Sequence, residues 1–282
     1  LVLQEPIEIS VVSPVYKSES LIKELISQLE DELSKLTEQY EIILVDDCSP
    51  DNSWTKILEH SNNKRVKALK LSRNFGQHHA ITAGLRFAKG NWVVVMDCDL
   101  QDPPHAIKDL YKKAKQGYDV VLAKRIQRDD SFIRILASDI NHFIFSYFSG
   151  VKTDRSFGNF GIYKINVIKN FNKLNEQARS FSMLIHSLGF KRTHIEVKKY
   201  PRHSGSSSYN FWKLFNHGVN TIVSHSNKPL LLSINLGFLI SLFSFLMAMY
   251  NVFAYFFGII GVAGFTTTVF SIWFSTGIIL TT

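Results

Sequence analysis

The fold is decided by the stretch WVVVMDCDLQDPP, residues 92–104. Its apolar start predicts a buried strand, and the acidic residues and Pro pair that follow predict where this strand ends. If the backbone stays extended beyond the apolar run, the two-residue period of a strand points Asp97, Asp99 and Gln101 the same way. Two carboxylates and an amide oxygen suit Mg²⁺ or Mn²⁺ with open positions for phosphate oxygens, which predicts a metal-bridged nucleotide diphosphate. The alternative is an acidic turn in which Asp102 caps the next helix.

Strands and helices alternate on both sides of this stretch. Apolar runs predict further strands at residues 7–13, 40–45, 66–71 and 118–123. Helical spacing of apolar residues predicts helices at residues 19–36 and 78–88, and a further helix opens near Ser53. This alternation predicts an α/β fold with a doubly wound, mostly parallel sheet and helices on both faces.

Polar residues follow the predicted strands. In a doubly wound sheet, ligands bind beyond the carboxyl ends of the strands. The polar residues at those ends are Tyr16, Asp46, Asp47, Asn74, Asp97, Asp99 and Arg125. Asp46 and Asp47 are predicted to hold the base and ribose of a nucleotide by hydrogen bonds, or alternatively to cap the next helix. The convergence of these side chains on one edge predicts a binding site there.

Two nucleotide-binding signatures are missing from the sequence. No Gly-x-Gly-x-x-Gly follows the first strand and no P-loop occurs. The sequence therefore predicts neither a hydride-transferring Rossmann enzyme nor a P-loop ATPase. Cys48 and Cys98 each follow an Asp at a strand end, and we interpret both as packing residues.

The last part of the chain carries no charge. Every Asp, Glu, Lys and Arg lies at or before Lys228, and residues 229–282 contain none. That length fits two membrane spans of about 20 residues each, and glycines at positions 258, 261 and 264 predict the break between them. We therefore predict a C-terminal two-helix transmembrane hairpin.

Cations crowd the sequence just before this hairpin. From Lys191 to Lys228 the chain has seven cations and one anion, which by the positive-inside rule places the preceding domain in the cytoplasm. A basic collar attracts anionic lipid head groups, so the net charge of +8 is explained without nucleic acid. Residues 131–149 and 209–228 mix large apolar and polar residues and are predicted to be interfacial amphipathic helices, or alternatively to pack inside the soluble domain. The predicted domains are residues 1–208, 209–228 and 229–282.

Four motifs together resemble the glycosyltransferases of family 2 that act on polyprenyl phosphates. They are VSPVYKSE at residues 12–19, DDCS at 46–49, RNFGQH at 73–78 and DCDLQDPP at 97–104. The resemblance implies a GT-A fold and inverting transfer of one sugar from a nucleotide diphosphate, with UDP-hexose favoured, to undecaprenyl phosphate. It also implies the cytoplasmic face of the inner membrane, a role in cell-envelope glycan modification, and Mg²⁺ or Mn²⁺ as cofactor. The interfacial helices and the two-span anchor predict self-association.

The resemblance also implies roles for individual residues. The nucleotide-binding set would be Pro14, Tyr16, Glu19, Asp46, Asp47, Asn74, Gln77 and Asp97. Asp97, Asp99 and Gln101 would hold the metal. The lipid-phosphate set would be Arg134, Ser138, Arg202 and Ser208, and the catalytic set would be Asp99, Asp154 and Arg125.

The chain departs from this family at two positions. Ser208 stands where relatives usually have Lys, and Gly161 stands where many have Arg. Two other functions stay open from the sequence. One is a glycosyltransferase that elongates a glycan, although the Gln-x-x-Arg-Trp element typical of such enzymes is absent. The other is a non-catalytic membrane protein that binds nucleotide.

Overall fold

A computed structural model of the protein describes residues 6–126, 157–174, 176, 180–198, 200, 228–258 and 264–281. The chain divides into two compact units. One comprises Leu1–Ala137 and Lys152–Asn210, and the other Ser138–Val151 and Phe211–Thr282. The predicted helix at residues 131–149 lies outside the described residues, as does all of the predicted helix at 209–228 except its last residue.

The first unit contains a mixed sheet flanked by helices. Its elements are β1 Ile9–Val15, α1 Ile22–Ser34, β2 Tyr40–Asp46, α2 Ser53–His60, β3 Val66–Lys70, α3 Gln77–Phe87, β4 Trp92–Val95, α4 Ala106–Ala114, β5 Val120–Ile126, β6 Phe157–Lys164, α5 Ile165–Lys173, α6 Phe181–Ser187 and β7 Arg192–Lys198. Among the described residues the sheet has seven strands in the order β3-β2-β1-β4-β6-β5-β7. β6 runs antiparallel to both of its neighbours, and the other pairings are parallel. The predicted mostly parallel α/β sheet is therefore confirmed.

Both faces of the sheet are covered by apolar packing. On one face, α1, α2 and α4 pack against the sheet, and the other face is covered by α3, α5 and α6. Side chains alternate between these faces along a strand, so that Val11 belongs to one cluster and Val12 to the other. The apolar residues of α1 recur at helical spacing, and each contributes about 1.5–3 kcal/mol on full burial.

Two glycines allow close packing around the central strands. At Gly84 of α3, a Cβ would lie 2.4 Å from Val12 Cγ1, so the helix approaches β1 closely. At Gly161 of β6, a Cβ would lie 2.7 Å from the Val121 carbonyl oxygen. A side chain at position 161 would therefore crowd the backbone of β5.

The second unit contains two apolar helices, α7 Lys228–Phe256 and α8 Phe265–Thr281, which contact each other. By length and composition, one helical segment of the described residues could cross a membrane, Leu230–Tyr250. Gly258 and Gly264, which lie between the two helices in the sequence, have positive φ angles of 68° and 105°. Two of the three predicted glycine positions therefore lie at the break between these helices.

Candidate active site

The carboxyl ends of the parallel strands form one edge of the sheet. The chain leaves the described part of the sheet at Ile126 and re-enters it at Phe157, both at this edge. Among the described residues, three non-glycine residues have positive φ, and all three follow a strand at this edge. They are Lys17 after β1 (54°), Cys48 after β2 (55°) and Leu100 after β4 (56°). The chain thus turns sharply where ligands bind in such sheets.

The acidic residues after β4 lie in a turn. β4 ends at Val95, and the bend that follows includes Leu100 with a φ of 56°. The prediction that the backbone stays extended through Asp97, Asp99 and Gln101 is therefore wrong. The Gln101 N–H donates to Asp99 Oδ1 at 3.2 Å and so closes the turn. Asp97, Asp99 and Gln101 are all partly exposed at the edge.

Asp102 is not the N-cap residue of the following helix, which is where the alternative interpretation placed it. The helix α4 begins at Ala106, its N-cap residue is His105, and the His105 side chain makes no capping hydrogen bond. Asp102 itself is buried, with 1% of its surface exposed. The Pro pair therefore precedes an extra turn that separates the acidic residues from α4.

A buried thiol lies between the two acidic side chains. Burial raises the pKa of Cys98 to about 11, and the nearby Asp97 and Asp99 carboxylates add to this shift. The Cys98 Sγ atom lies 3.1 Å from Ser18 Oγ. Cys98 is therefore a neutral packing group, as predicted, and it joins the acidic turn to the loop after β1.

This turn fits a hard divalent cation by the chemistry of its donors. Asp97 and Asp99 offer partly exposed carboxylate oxygens, and both carboxylates lie close enough to Cys98 to raise the pKa of its thiol. Gln101 adds an amide oxygen to the same turn. Such oxygen donors suit Mg²⁺ or Mn²⁺ bound together with phosphate oxygens. Within the described residues, no group of three or more His, Cys, Asp and Glu side chains could hold a metal ion.

Pro14 and Tyr16 lie at the end of β1. The Met96 N–H donates to the Val12 carbonyl, which is the last bond from β4 to β1. Because alternate residues of a strand face the same neighbour, Pro14 faces β4 just beyond this bond. Its missing N–H therefore costs no ladder hydrogen bond. Tyr16 is 39% exposed, and Lys17 Nζ lies 5.5 Å from the centre of its ring.

The loop after β1 is tied to the loop after β2. Successive backbone N–H groups of Lys17 and Ser18 donate to Ser49 Oγ and Ser53 Oγ at 3.2 and 3.0 Å. The Glu19 carboxylate accepts from Asn52 N at 3.3 Å and from Asn52 Nδ2 at 3.2 Å. The described contacts of the Glu19 side chain thus join the two loops, and its contact with a nucleoside stays a prediction.

Asp46 and Asp47 are both buried at the end of β2, with 0% and 3% of their surfaces exposed. Asp46 accepts from the Ser49 N–H at 3.2 Å. Asp47 accepts from the N–H groups of Phe75 and Gly76, each at 2.8 Å. Burial raises the pKa of Asp47, and these two N–H groups oppose that shift. Asp47 therefore anchors the loop after β3, while its predicted contact with base or ribose stays a prediction.

The loop after β3 presents exposed side chains next to the acidic turn. Asn74 is exposed, and Arg73 lies 4.6 Å from the centre of the Phe75 ring, which is 40% exposed. The Gln77 side chain donates from Nε2 to Asp97 Oδ1. The structure thus brings Gln77 to the predicted metal site, a contact that sequence reasoning missed.

Other predicted residues are placed only in part. Arg125 belongs to β5, where its backbone pairs with Val197. The Tyr200 N–H donates to the Gln101 carbonyl at 3.0 Å, so the chain after β7 reaches the acidic turn. This contact was also missed, because no local pattern indicates it. Asp154, Arg134, Ser138, Arg202 and Ser208 lie outside the described residues.

A mixed α/β sheet with an Asp-x-Asp turn at its carboxyl edge defines a glycosyltransferase of the GT-A type. The model of the Glycosyl transferase family 2 matches residues 10–188. Relatives in this family are at least 30% identical over most of the chain. The chain belongs to glycosyltransferase family 2.

One similar protein is an undecaprenyl-phosphate 4-deoxy-4-formamido-L-arabinose transferase of Proteus mirabilis. It is 35% identical over 275 residues, which cover 95% of this chain and 83% of that protein.

Two solved structures share the fold. The mannosyltransferase PcManGT of Pyrobaculum calidifontis, in complex with GDP-Man and Mn²⁺, has a TM-score of 0.53 at 16% identity and covers 79% of this chain and 64% of its own. The glucosyl-3-phosphoglycerate synthase of Mycobacterium tuberculosis, in complex with Mn²⁺, UDP and glucosyl-3-phosphoglycerate, has a TM-score of 0.53 at 14% identity, and the match covers 78% of this chain and 80% of that chain.

Proposed function

We propose that this glycosyltransferase transfers a single sugar from a nucleotide diphosphate, with UDP favoured, to undecaprenyl phosphate, with inversion at the sugar. The observation that carries the proposal is the acidic turn at Asp97 and Asp99, which lies beside the loops after β1 and β3 at the carboxyl edge. The undecaprenyl-phosphate relative of Proteus mirabilis, similar over 95% of the chain, supports this acceptor.

The donor site is assembled from the tied loops. Tyr16 and Asn74 are exposed on either side of the buried Asp46 and Asp47 and are available to a nucleoside. Asp97, Asp99 and Gln101 would hold Mg²⁺ or Mn²⁺. When bound, the cation supplies positive charge against the diphosphate leaving group. The carboxylates at this edge would otherwise repel a diphosphate, so the proposal requires this cation.

The acceptor needs cations more than it needs a general base. A phosphate monoester with a second pKa near 6 is largely dianionic at pH 7, so the attacking oxygen has no proton to lose. Placing two anions in line and neutralising them is then the main task of the enzyme. For this task we propose Arg125, Arg134, Ser138, Arg202 and Ser208, with Asp154 in a minor role. The Tyr200 N–H donates to the Gln101 carbonyl in the acidic turn. Arg202 follows Tyr200 by two residues in the sequence, which supports the proposed role of Arg202 in binding phosphate.

The proposal includes a membrane anchor. The apolar segment Leu230–Tyr250 supports a first span, and α8 would supply the second, so that residues 229–282 form a transmembrane hairpin. Residues 131–149 and 209–228 would lie in the interface, and the catalytic domain at residues 1–208 would face the cytoplasm, at the inner membrane. Self-association through the membrane-bound parts is also proposed, and size-exclusion chromatography with light scattering in detergent would measure it.

The test is a product assay with the full chain in proteoliposomes. The protein is incubated with UDP-hexoses and Mn²⁺, and with undecaprenyl phosphate, undecaprenol or a glycan as acceptor, and lipid and glycan products are analysed by mass spectrometry. We expect a lipid-linked monosaccharide with undecaprenyl phosphate alone. A lengthened glycan would instead identify an elongating enzyme, and nucleotide binding without any product would indicate a non-catalytic protein. Either result contradicts the proposal.

A further inference from the structure

The Gln77 side chain is directed at a carboxylate and not at open solvent. Its Nε2 atom donates to Asp97 Oδ1. An ionised carboxylate can accept hydrogen bonds but cannot donate them. The amide must therefore present its nitrogen to Asp97, because the opposite orientation would place two acceptors in contact. This hydrogen bond therefore fixes which end of the Gln77 amide faces Asp97.

The backbone around Gln77 is held from two directions. Asp47 accepts from the N–H groups of Phe75 and Gly76 just before it. Gly76 has a φ of 92°, which turns the chain into α3. Further along α3, Gly84 brings the helix close to β1. Gln77, the first residue of α3, therefore starts from a fixed point, so its side chain can impose an orientation on Asp97.

We propose that Gln77 is a positioning residue that orients Asp97 for the divalent cation and does not bind the nucleotide. This inference rests on the proposed function, because it assigns a role within the same site. The hydrogen bond from Gln77 Nε2 to Oδ1 restrains rotation of the Asp97 carboxylate, and this restraint is what would orient its oxygens for the cation. Partners that orient metal ligands change metal affinity by about 10–100-fold when they are removed.

The experiment compares Gln77→Met with the wild-type full chain in detergent. Methionine keeps the length of the side chain and removes the hydrogen bond. Mn²⁺ affinity is measured by electron paramagnetic resonance of the free ion, at a fixed concentration of whichever of UDP and GDP the wild type binds. Nucleotide affinity is measured separately at saturating Mn²⁺. Gln28→Met is the matched control, because Gln28 Nε2 also donates to a carboxylate, Glu24 Oε1 at 3.0 Å, on the exposed face of α1.

We expect Gln77→Met to weaken Mn²⁺ binding about 10–100-fold, with nucleotide affinity at saturating Mn²⁺ nearly unchanged and Gln28→Met like the wild type. Unchanged Mn²⁺ affinity overturns the inference, and so does a loss of nucleotide affinity that saturating Mn²⁺ does not restore. If Gln77→Met lowers the thermal unfolding midpoint, the same two affinities are measured for Gln77→Ala and judged in the same way. A wild type that binds neither Mn²⁺ nor nucleotide refutes the proposed function instead.

Discussion

Replacing Asp47 by Ala removes the anchor of the loop after β3. The carboxylate accepts from the N–H groups of Phe75 and Gly76, each at 2.8 Å. A hydrogen bond to a charged group contributes about 1.5–3 kcal/mol. Because burial raises the pKa of Asp47, part of this gain is offset by desolvation, and the lower end of the range applies. Each N–H group should therefore lose about 1.5 kcal/mol of protection against local opening.

Hydrogen exchange measures this opening directly. At about 1.4 kcal/mol for each factor of ten, the Phe75 and Gly76 amides should exchange roughly tenfold faster in Asp47→Ala than in the wild type. The assay is exchange mass spectrometry of the full chain in detergent, read on peptides that cover residues 71–79. Asp31→Ala is the control, because Asp31 is an exposed partner of Lys35 on α1 and has no role at this edge.

Asp47→Asn separates the two possible roles of this side chain. An amide keeps one acceptor oxygen, so one of the two N–H groups stays bonded and the increase in exchange should be intermediate. Exchange at Phe75 and Gly76 that stays at the wild-type rate in Asp47→Ala would refute the anchoring role. A loss of nucleotide affinity in that same variant would then identify Asp47 as a contact of the nucleoside.

Three further perturbations test the site and the packing beneath it. Asp99→Ala should lower kcat/KM for sugar transfer by about 10²–10³, or about 2.7–4 kcal/mol. Asp154→Asn should lower kcat/KM much less, because a phosphate acceptor needs no base. Similar losses for the two variants in steady-state assays would contradict this mechanism. Gly84→Ala should lower the free energy of unfolding by up to about 2 kcal/mol, because overpacking costs about 1–3 kcal/mol and helix propensity returns about 1 kcal/mol. The added Cβ would lie 2.4 Å from Val12 Cγ1. The double variant Gly84→Ala with Val12→Ala should therefore lose less stability in urea unfolding than the sum of the two single variants, and additive losses would argue against the close approach. The pKa of Cys98 is raised from 9.0 to about 11, so its contribution to stability is complete below pH 9 and is lost as the pH rises to 11. That contribution is roughly 3 kcal/mol. The urea midpoint of Cys98→Ala should therefore fall less between pH 8 and 11 than that of the wild type. An equal fall would count against a buried thiol.

The main architecture could be predicted because parallel strands buried on both faces are continuous apolar runs. The five strands predicted from such runs are all present, with ends that differ by a few residues. The helix α5, Ile165–Lys173, was missed. Its buried residues Val167, Ile168 and Phe171 follow helical spacing, but the segment is short and rich in Asn, which is a poor helix former.

The position of β6 in the sheet could not be predicted. Its sequence FGNFGIYK contains two glycines and an asparagine, and its apolar part at residues 160–163 is too short to distinguish a strand from a turn. Strand order depends on pairing between residues far apart in the chain, and local pattern carries no information about that pairing. The insertion of β6 between β4 and β5 therefore had to come from the structure.

The residue types of the site could be predicted, but the contacts among them could not. The sequence placed Asp47 and Asp97 at one edge because each follows a strand, and the family resemblance added Gln77. Their predicted contacts with the nucleotide stay predictions, and the sequence did not indicate the contacts that they make within the protein. In the structure, Asp47 binds backbone N–H groups and Gln77 binds Asp97. Contacts between loops depend on where each loop turns, and a pattern of residue types does not specify the turns.

Hydrogen bonds around the strained residues explain why these turns stay in place. A non-glycine residue in the left-handed region costs roughly 1–2 kcal/mol, and strain of this kind persists only where neighbouring contacts determine the conformation. The Lys17 N–H is bonded to Ser49 Oγ, and Leu100 lies between Asp99 and Gln101, which are bonded to each other. Cys48 is bracketed in the same way, because the Ser49 N–H that follows it is bonded to Asp46. Each strained residue thus lies at or beside a hydrogen-bonded neighbour, and these bonds hold the acidic turn and the loops after β1 and β2 in place at the carboxyl edge.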